Sequence, residues 1–552
     1  MAKKKDGGFL MQGAILAATA LITKIIGLAY RIPVTNIMGS EGNGYYGIVF
    51  QVYNLALMLT SYSLPMAVSK LVSARIATGQ YRNAYRVYKG AMAFAVITGG
   101  FVTAIVFFGA GFIASGIMKV EMSVYALRVL APCILIVAFL GVFRGFFQGF
   151  GTMMPTAFSQ TIEQIVNAIV SIAGALMLLK FGQTMASGAD KKTYGAAYAA
   201  AGATLGTVAG ALAALLFLLF VFGTYKRVLK RQMRRDRGHR RESWSYIYRL
   251  LLLTIAPVIL SATVYNISNL LDQAVFTNIM AIQGVPEKEY TELLGMFSGQ
   301  YDTMTNIPLS VASALAASFM PNLVAAIQTG TRKEIHSKIN LVSRFNMIIA
   351  IPCAAGFITL AKPILDLLYF TQDNAIPALL LQIGGISVVF FCLSTVTNAA
   401  LQGMDYMSKP VKNAAVSLVI HLIALYIMLV AFKWSIYSIV ASKIIFAGAI
   451  CILNAKDLER ACGYVQETKK TFVIPVIASV IMSLFALLTR LMFELFAGPQ
   501  IATAAALIVA VIVYFVGLIL LGGVSERELL MAPKGRSIVR RLKKFHLLSD
   551  RR

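Results

Sequence analysis

Apolar runs of about 20 residues or more recur from one end of this chain to the other, among them "AMAFAVITGGFVTAIVFFGAGFIASGI" (91–117) and "IATAAALIVAVIVYFVGLILLGG" (501–523). Each is long enough to cross a bilayer as a helix, at about 1.5 Å per residue. Inside hydrocarbon, every backbone N–H and C=O must be satisfied by the protein itself, which for such runs means helices. Only 13% of the 552 residues are charged, about half the usual fraction of a soluble domain. The chain therefore reads as an all-α polytopic membrane protein.

Fourteen transmembrane helices are expected, at 9–37, 45–69, 90–117, 122–148, 155–180, 194–223, 247–280, 294–327, 339–361, 376–402, 411–432, 435–454, 471–496 and 501–523. "MAKKK" before an apolar run resembles the start of a signal peptide. The run, however, lacks a small-residue cleavage site and continues through Lys24 to Arg31, so a retained helix is expected. With the N- and C-termini cytoplasmic, most of the 50 Lys and Arg residues fall on the inner side, as the positive-inside rule requires. The net charge of +27 is accordingly a topology signal and not a sign of nucleic-acid binding. The basic stretches "KRVLKRQMRRDRGHRR" (226–241) and "GRSIVRRLKKF" (535–545) are expected to meet anionic membrane lipids. The five cysteines and four histidines form no disulfide framework and no metal spacing; neither metal nor cofactor is expected.

The chain also repeats itself. "VTNIMG" (34–39) recurs as "FTNIMA" (276–281), "ATGQYRNAY" (77–85) as "QTGTRKEIH" (328–336), and "FFQGFGTMMP" (146–155) as "ALQGMDYMSKP" (400–410). The three landmarks keep their order, at offsets of 242, 251 and about 254 residues. Six spans restore the membrane orientation, so this is a parallel repeat of two six-helix lobes. The expected organisation is an N-terminal lobe (1–223), a basic cytoplasmic linker (224–246), a C-terminal lobe (247–470), two further helices (471–523) and a basic tail (524–552). Parallel repeats of this kind place the substrate between lobes that rock against each other.

Polar residues within the spans mark that site. Lys24 and Arg31 lie seven residues apart, close to two turns, and so share a face of the first span. Lys24 is about 15 residues, or ~22 Å, into that span, too deep to snorkel to the cytoplasm. Shifting by 242 aligns Lys24 with Asn266, Tyr30 with Asp272 and Arg31 with Gln273, on a polar stripe of the seventh span that also holds Asn269. The fifth span gathers Gln160, Glu163, Gln164, Asn167 and Ser171; its counterpart, the eleventh, carries Asn413, Ser417 and His421. Gln51 and Asn54 mark the second span, and Asp302 the eighth. Glu163, Asp272 and Asp302 have two readings: sites for Na+ or a proton, or structural ion pairs with Lys24 or Arg31. Arg144 and Arg249, near the inner boundary, are expected to snorkel, and Arg128 has the same reading at the outer one; Lys443 lies deeper.

Aligned cations suit an anionic group, a phosphate or pyrophosphate, while the amides suit a sugar or peptide. In "TKIIGLAYRIPVTNIMGSEGNGYYGIVFQVYNL" (23–55), "FRGFFQGFGTMMPTAFSQTIEQIVN" (143–167) and the fourteen-span plan, the chain resembles the multidrug/oligosaccharidyl-lipid/polysaccharide flippase superfamily. Within it, it is most similar to the SpoVB and YtgP type of polysaccharide biosynthesis proteins of Gram-positive bacteria, relatives of the lipid II flippase MurJ. The resemblance implies a non-enzymatic transporter in the bacterial cytoplasmic membrane. It would carry an undecaprenyl-pyrophosphate-linked glycolipid to the outer leaflet, driven by Na+, H+ or the membrane potential. It further implies that Lys24 matches an essential cationic position, that Arg31 stands one residue past another, and that the last two helices form a lipid-tail groove. The late second span and the eighth span lack the arginines seen in MurJ. A monomer is expected, associated with cell-wall synthesis proteins. The alternatives are a cation-coupled multidrug exporter of the same fold, a membrane polysaccharide polymerase or ligase, and a sporulation scaffold without transport. The outer loops are short for a polymerase or ligase, and the polar span faces argue against a scaffold.

Overall fold

A computed structural model describes residues 3–188, 190–236 and 241–524, and among these every regular element is helical. Apart from Val524, the expected basic tail lies outside them, as does 237–240 of the basic linker. The α-helices are α1 (Lys3–Thr60), α2 (Leu64–Ala77), α3 (Tyr81–Phe108), α4 (Val124–Gly149), α5 (Met154–Met185), α6 (Asp190–Arg235), α7 (Trp244–Ile282), α8 (Glu287–Met296), α9 (Asp302–Thr329), α10 (Arg332–Leu368), α11 (Ala375–Gly403), α12 (Ser408–Val430), α13 (Tyr437–Cys462) and α14 (Ile474–Leu520). Ten helical stretches among the described residues are long and apolar enough to cross a bilayer.

The helices do not match the expected spans one for one. α1 covers the first two and is broken at Gly39, whose φ of 68° lies in the left-handed region where a side chain is disfavoured. Such a break frees carbonyls, and Asn43 Nδ2 answers them by donating to Thr35 O (2.9 Å) and Gly39 O (2.7 Å). α14 covers the last two spans and is broken at Gly498, just before Pro499. The eighth span, expected over 294–327, is composite: it takes in only the end of α8, then a π-helical turn (Phe297–Tyr301) and α9.

Helix boundaries recur at the offsets of the sequence repeat. α3 starts at Tyr81 and α10 at Arg332, 251 residues on. α4 ends at Gly149 and α11 at Gly403; α5 starts at Met154 and α12 at Ser408, both pairs 254 apart.

By contact, the chain divides into two compact units, Met1–Gly299 and Gln300–Arg552, so the division falls well past the basic linker and leaves α7 and α8 in the first unit. The reason is a glycine seam between α8 and the second half of α1. A Cβ on Gly295 would lie 1.6 Å from Ser40 O, and one on Gly44 would lie 2.1 Å from Thr291 O. Such backbone-to-backbone approach is how helices associate in lipid, where burying apolar surface gains little. α5 and α6 use the same device, with the Gly202 Cβ position 2.1 Å from Gly174 O. Large apolar side chains point outward instead, Phe108, Phe220 and Phe496 among them, as a lipid-facing surface requires. In the second unit, α14 lies along α10 through Ile348, Ala478, Met482 and Tyr514, and the Tyr514 hydroxyl donates to Ile348 O (2.7 Å).

Candidate functional site

In the first unit, α1 and α5 bring several of the expected residues together. The Asn167 amide donates to the Tyr30 hydroxyl (3.1 Å) and accepts from Ser171 Oγ (2.8 Å), which also reaches Ala203 O (2.9 Å). One turn towards the N-terminus of α1, the Gly27 Cβ position is 3.7 Å from Gln164 Oε1, so this amide rests on α1 beside Lys24. Lys24 is exposed although it lies deep within an apolar helix. Arg31 is half-buried: its Cζ stacks 4.0 Å from the Tyr46 ring centroid, and its Nη1 is enclosed without a hydrogen-bond partner among the described residues. A guanidinium stacked in this way keeps N–H donors for an anion.

The acids have partners other than the expected ones. Glu163 pairs with Arg144, Oε2 to Nη2 at 2.6 Å, and Arg144 Nε donates to Ser159 Oγ (3.0 Å). Arg144 therefore does not snorkel: it turns inward from α4 to α5. Arg144 lies ten residues before the start of α5 at Met154 and Glu163 nine after it, so the hairpin brings them to nearly one height, a register readable from the sequence. In the second unit, Asp302 pairs with Lys443 of α13 at 3.3 Å. Neither acid pairs with Lys24 or Arg31 in these contacts. Arg128 and Arg249 are exposed.

The remaining expected residues are spread out. Gln160 is half-buried, with Oε1 enclosed and without a hydrogen-bond partner among the described residues. Gln51 is half-buried and Asn54 exposed, both beyond the α1 break. On α7, which packs along α1, Asn266 is exposed, Asn269 half-buried, and Asp272 and Gln273 fully enclosed. The polar face of α12 turns inward as well. Asn413 donates to Asn454 Oδ1 and Asp457 Oδ2 (both 2.9 Å), and Asn454 continues the chain to Asn398 (2.7 Å) and Thr397 (3.0 Å). Sequence reading missed this network because it singled out Asn413 on α12 but not its partners Asn454 and Asp457 on α13 and Asn398 on α11.

A groove of about 330 Å3 runs between α10 and α14. Ile349, Pro352, Phe357, Leu507, Val511 and Phe515 line it, and its surface is almost entirely apolar. Its position on the last two expected spans and its chemistry suit a hydrocarbon chain.

Over residues 9–326 the chain matches the family model described as "Polysaccharide biosynthesis protein". It is 25% identical over 523 residues to the lipid II flippase MurJ of Bacillus subtilis (strain 168), covering 92% of this chain and 93% of the relative. Its fold is similar to that of a lipid II flippase MurJ solved in an inward closed conformation, with a TM-score of 0.63 and 14% identity over 91% of this chain and 98% of that one. It is equally similar to an inward-facing multidrug resistance transporter of the MATE family, of the MOP superfamily, at a TM-score of 0.64 and 17% identity over 81% and 98%. These relatives are integral membrane transporters, in keeping with the multi-pass helical architecture. The chain belongs to the polysaccharide biosynthesis protein family.

Proposed function

We propose that this protein is a flippase. It moves an undecaprenyl-pyrophosphate-linked cell-wall precursor, lipid II or a related polysaccharide unit, from the inner to the outer leaflet by alternating access. The observation that carries the reading is Lys24: an ammonium left exposed deep in an apolar helix, beside the Gln164 amide and one face with Arg31. A cation at that depth is costly unless water or an anion meets it. Lys24 and Arg31 engage the pyrophosphate. Gln51, Asn54, Gln160, Gln164, Asn167, Asn266 and Asn269 hydrogen-bond the headgroup, backed by Asp272 and Gln273. The groove between α10 and α14 takes the lipid tail. Similarity to MurJ over nearly the whole chain supports this assignment.

Counting kinked α1 and α14 twice and adding α7 and α9 to the ten apolar stretches gives fourteen spans, with both termini inside on the Lys and Arg distribution. The two lobes, 1–223 and 247–470, are those of the repeat. An inside-negative potential favours outward movement of an anionic headgroup, by about 2.3 kcal/mol per charge per 100 mV. Glu163, Asp272 and Asp302 are the candidates for any added coupling to Na+ or H+, the first and last through exchange of their Arg144 and Lys443 partners. The MATE-like fold supports a second reading, cation-coupled drug export. Depletion in the native host, followed by an assay of lipid II leaflet location, separates the two. Arrested outward movement is expected; unchanged movement together with lost export of lipophilic cations would favour the second.

A further inference from the structure

The third span of each repeat starts alike and is covered differently. Beside the start of α3, the chain arriving from α6 lays down Trp244: Arg86 Cζ is 4.3 Å from the indole centroid, and the Gly90 Cβ position is 3.7 Å from the ring. The 251-residue offset that aligns Tyr81 with Arg332 aligns Arg86 with Ser337 and Gly90 with Leu341 on α10. There the chain arriving from α13 leaves a polar cavity of about 360 Å3, lined by both of these residues together with Lys333, His336, Asn340, Arg344 and Glu467.

The walls of this cavity are fixed. Arg344 Nη2 holds Glu467 at 2.8 Å, His336 Nε2 is 2.9 Å from Cys462 O, and the Tyr464 hydroxyl donates to Asn340 Oδ1 at 2.7 Å. The one carboxylate in the lining is thus matched by Arg344, and the Asn340 amide keeps its N–H donors. Lys333 is exposed and makes no ion pair among the described residues. One unmatched ammonium with neutral amide and hydroxyl donors suits a compact anion rich in acceptors, which is the description of a phosphate.

The same helix supplies the second half of the argument. The polar lining ends at Arg344, and the apolar groove against α14 begins at Ile348, one turn and about 6 Å further on. A polar cavity continued by an apolar trough along one helix face fits an amphiphile and not a free ion. We infer that the α10 cavity binds the phosphate of a membrane lipid whose chain lies in the α10–α14 groove. The inference rests on the proposed use of the groove by a lipid tail: a lipid held here lies in the trough assigned above to the substrate tail, with its phosphate at α10 instead of at Lys24.

The test is native mass spectrometry on the purified, delipidated full chain. Phosphatidylglycerol and undecaprenyl pyrophosphate are titrated separately, with diacylglycerol as the headless control and inorganic phosphate as the tailless one. Both phosphate-headed lipids are expected to bind at least about tenfold more tightly than diacylglycerol, and the tighter of the two identifies the source. Lys333→Gln should weaken phosphatidylglycerol binding about fivefold. Ser337→Trp, which puts an indole into the cavity, should abolish it. Lys24→Ala, aimed at transport, should leave it unchanged. Wild-type binding in both α10 variants would overturn the site, and equal protection from thermal unfolding by inorganic phosphate alone would overturn the lipid assignment.

Discussion

Gly295→Ala is the sharpest probe of the seam between α8 and α1. The added methyl would sit 1.6 Å from Ser40 O and 2.7 Å from Gly44 N, whereas ordinary contact begins near 3.4 Å. The helices must therefore part by roughly 1.8 Å (3.4 minus 1.6), because the obstacle is backbone and cannot rotate away. Parting them also strains the Ser298 Oγ donation to Asn43 O (3.2 Å) and the close approach of Gly47 to Ser298. Overpacking of this kind costs about 1–3 kcal/mol, which multiplies the opening of α8 about 5- to 150-fold. Hydrogen–deuterium exchange over 287–301 in lipid nanodiscs reads that factor directly. Gly448→Ala is the control, since nothing lies within 4 Å of its Cβ position, and it should leave exchange over 287–301 unchanged. Exchange in Gly295→Ala equal to wild type would refute the close packing and its account of why α7 and α8 belong to the first unit.

Three further outcomes follow from the polar contacts. In a double-mutant cycle on Arg144→Gln and Glu163→Gln, unfolding in SDS–detergent mixtures should show a coupling of about 1–3 kcal/mol, below the figure for a fully buried pair because both side chains retain some exposure. Asn454→Leu should destabilise by about 1–3 kcal/mol in the same assay, since it removes an acceptor from Asn413 and the donor to Asn398 and Thr397; Ser73→Ala, on an exposed surface, should not. Burial pushes the Glu287 carboxyl above its ordinary range, against the hydrogen bond it accepts from Glu121 N. Its folded value exceeds its unfolded one, so this contribution to α8 docking is full below about pH 4.3 and is lost as pH rises through the folded value. Glu287→Gln should flatten that dependence in exchange rates corrected for intrinsic pH effects.

The all-helical, multi-pass architecture was legible because bilayer thickness and backbone satisfaction leave a long apolar run few alternatives. The repeat was legible because short motifs sit at helix ends, where the structure finds boundaries at the same offsets. Arg144 was misread because its distance from the membrane boundary was judged along its own helix, while its partner stands across the hairpin on α5. The stripe of Asn413, Ser417 and His421 showed the same ambiguity. A polar face within a membrane helix is satisfied either by a wet cavity or by amides of a neighbour, and the pattern of one helix does not distinguish them. Here Asn413 meets Asn454 and Asp457, and the ring of His421 lies 5.4 Å from that of Phe446. The α10 cavity was invisible for a simpler reason: its far wall is made by Tyr464 and Glu467, after α13, which no pattern within α10 discloses.

The central claim is that the Lys24 ammonium handles the pyrophosphate. The direct measurement is the outer-leaflet fraction of lipid II in host cells depleted of the native protein and supplied with wild type, Lys24→Arg or Lys24→Ala at equal membrane abundance. The account predicts wild-type export with Lys24→Arg in large part retained, and loss to the depleted level with Lys24→Ala. Full export by Lys24→Ala would contradict it.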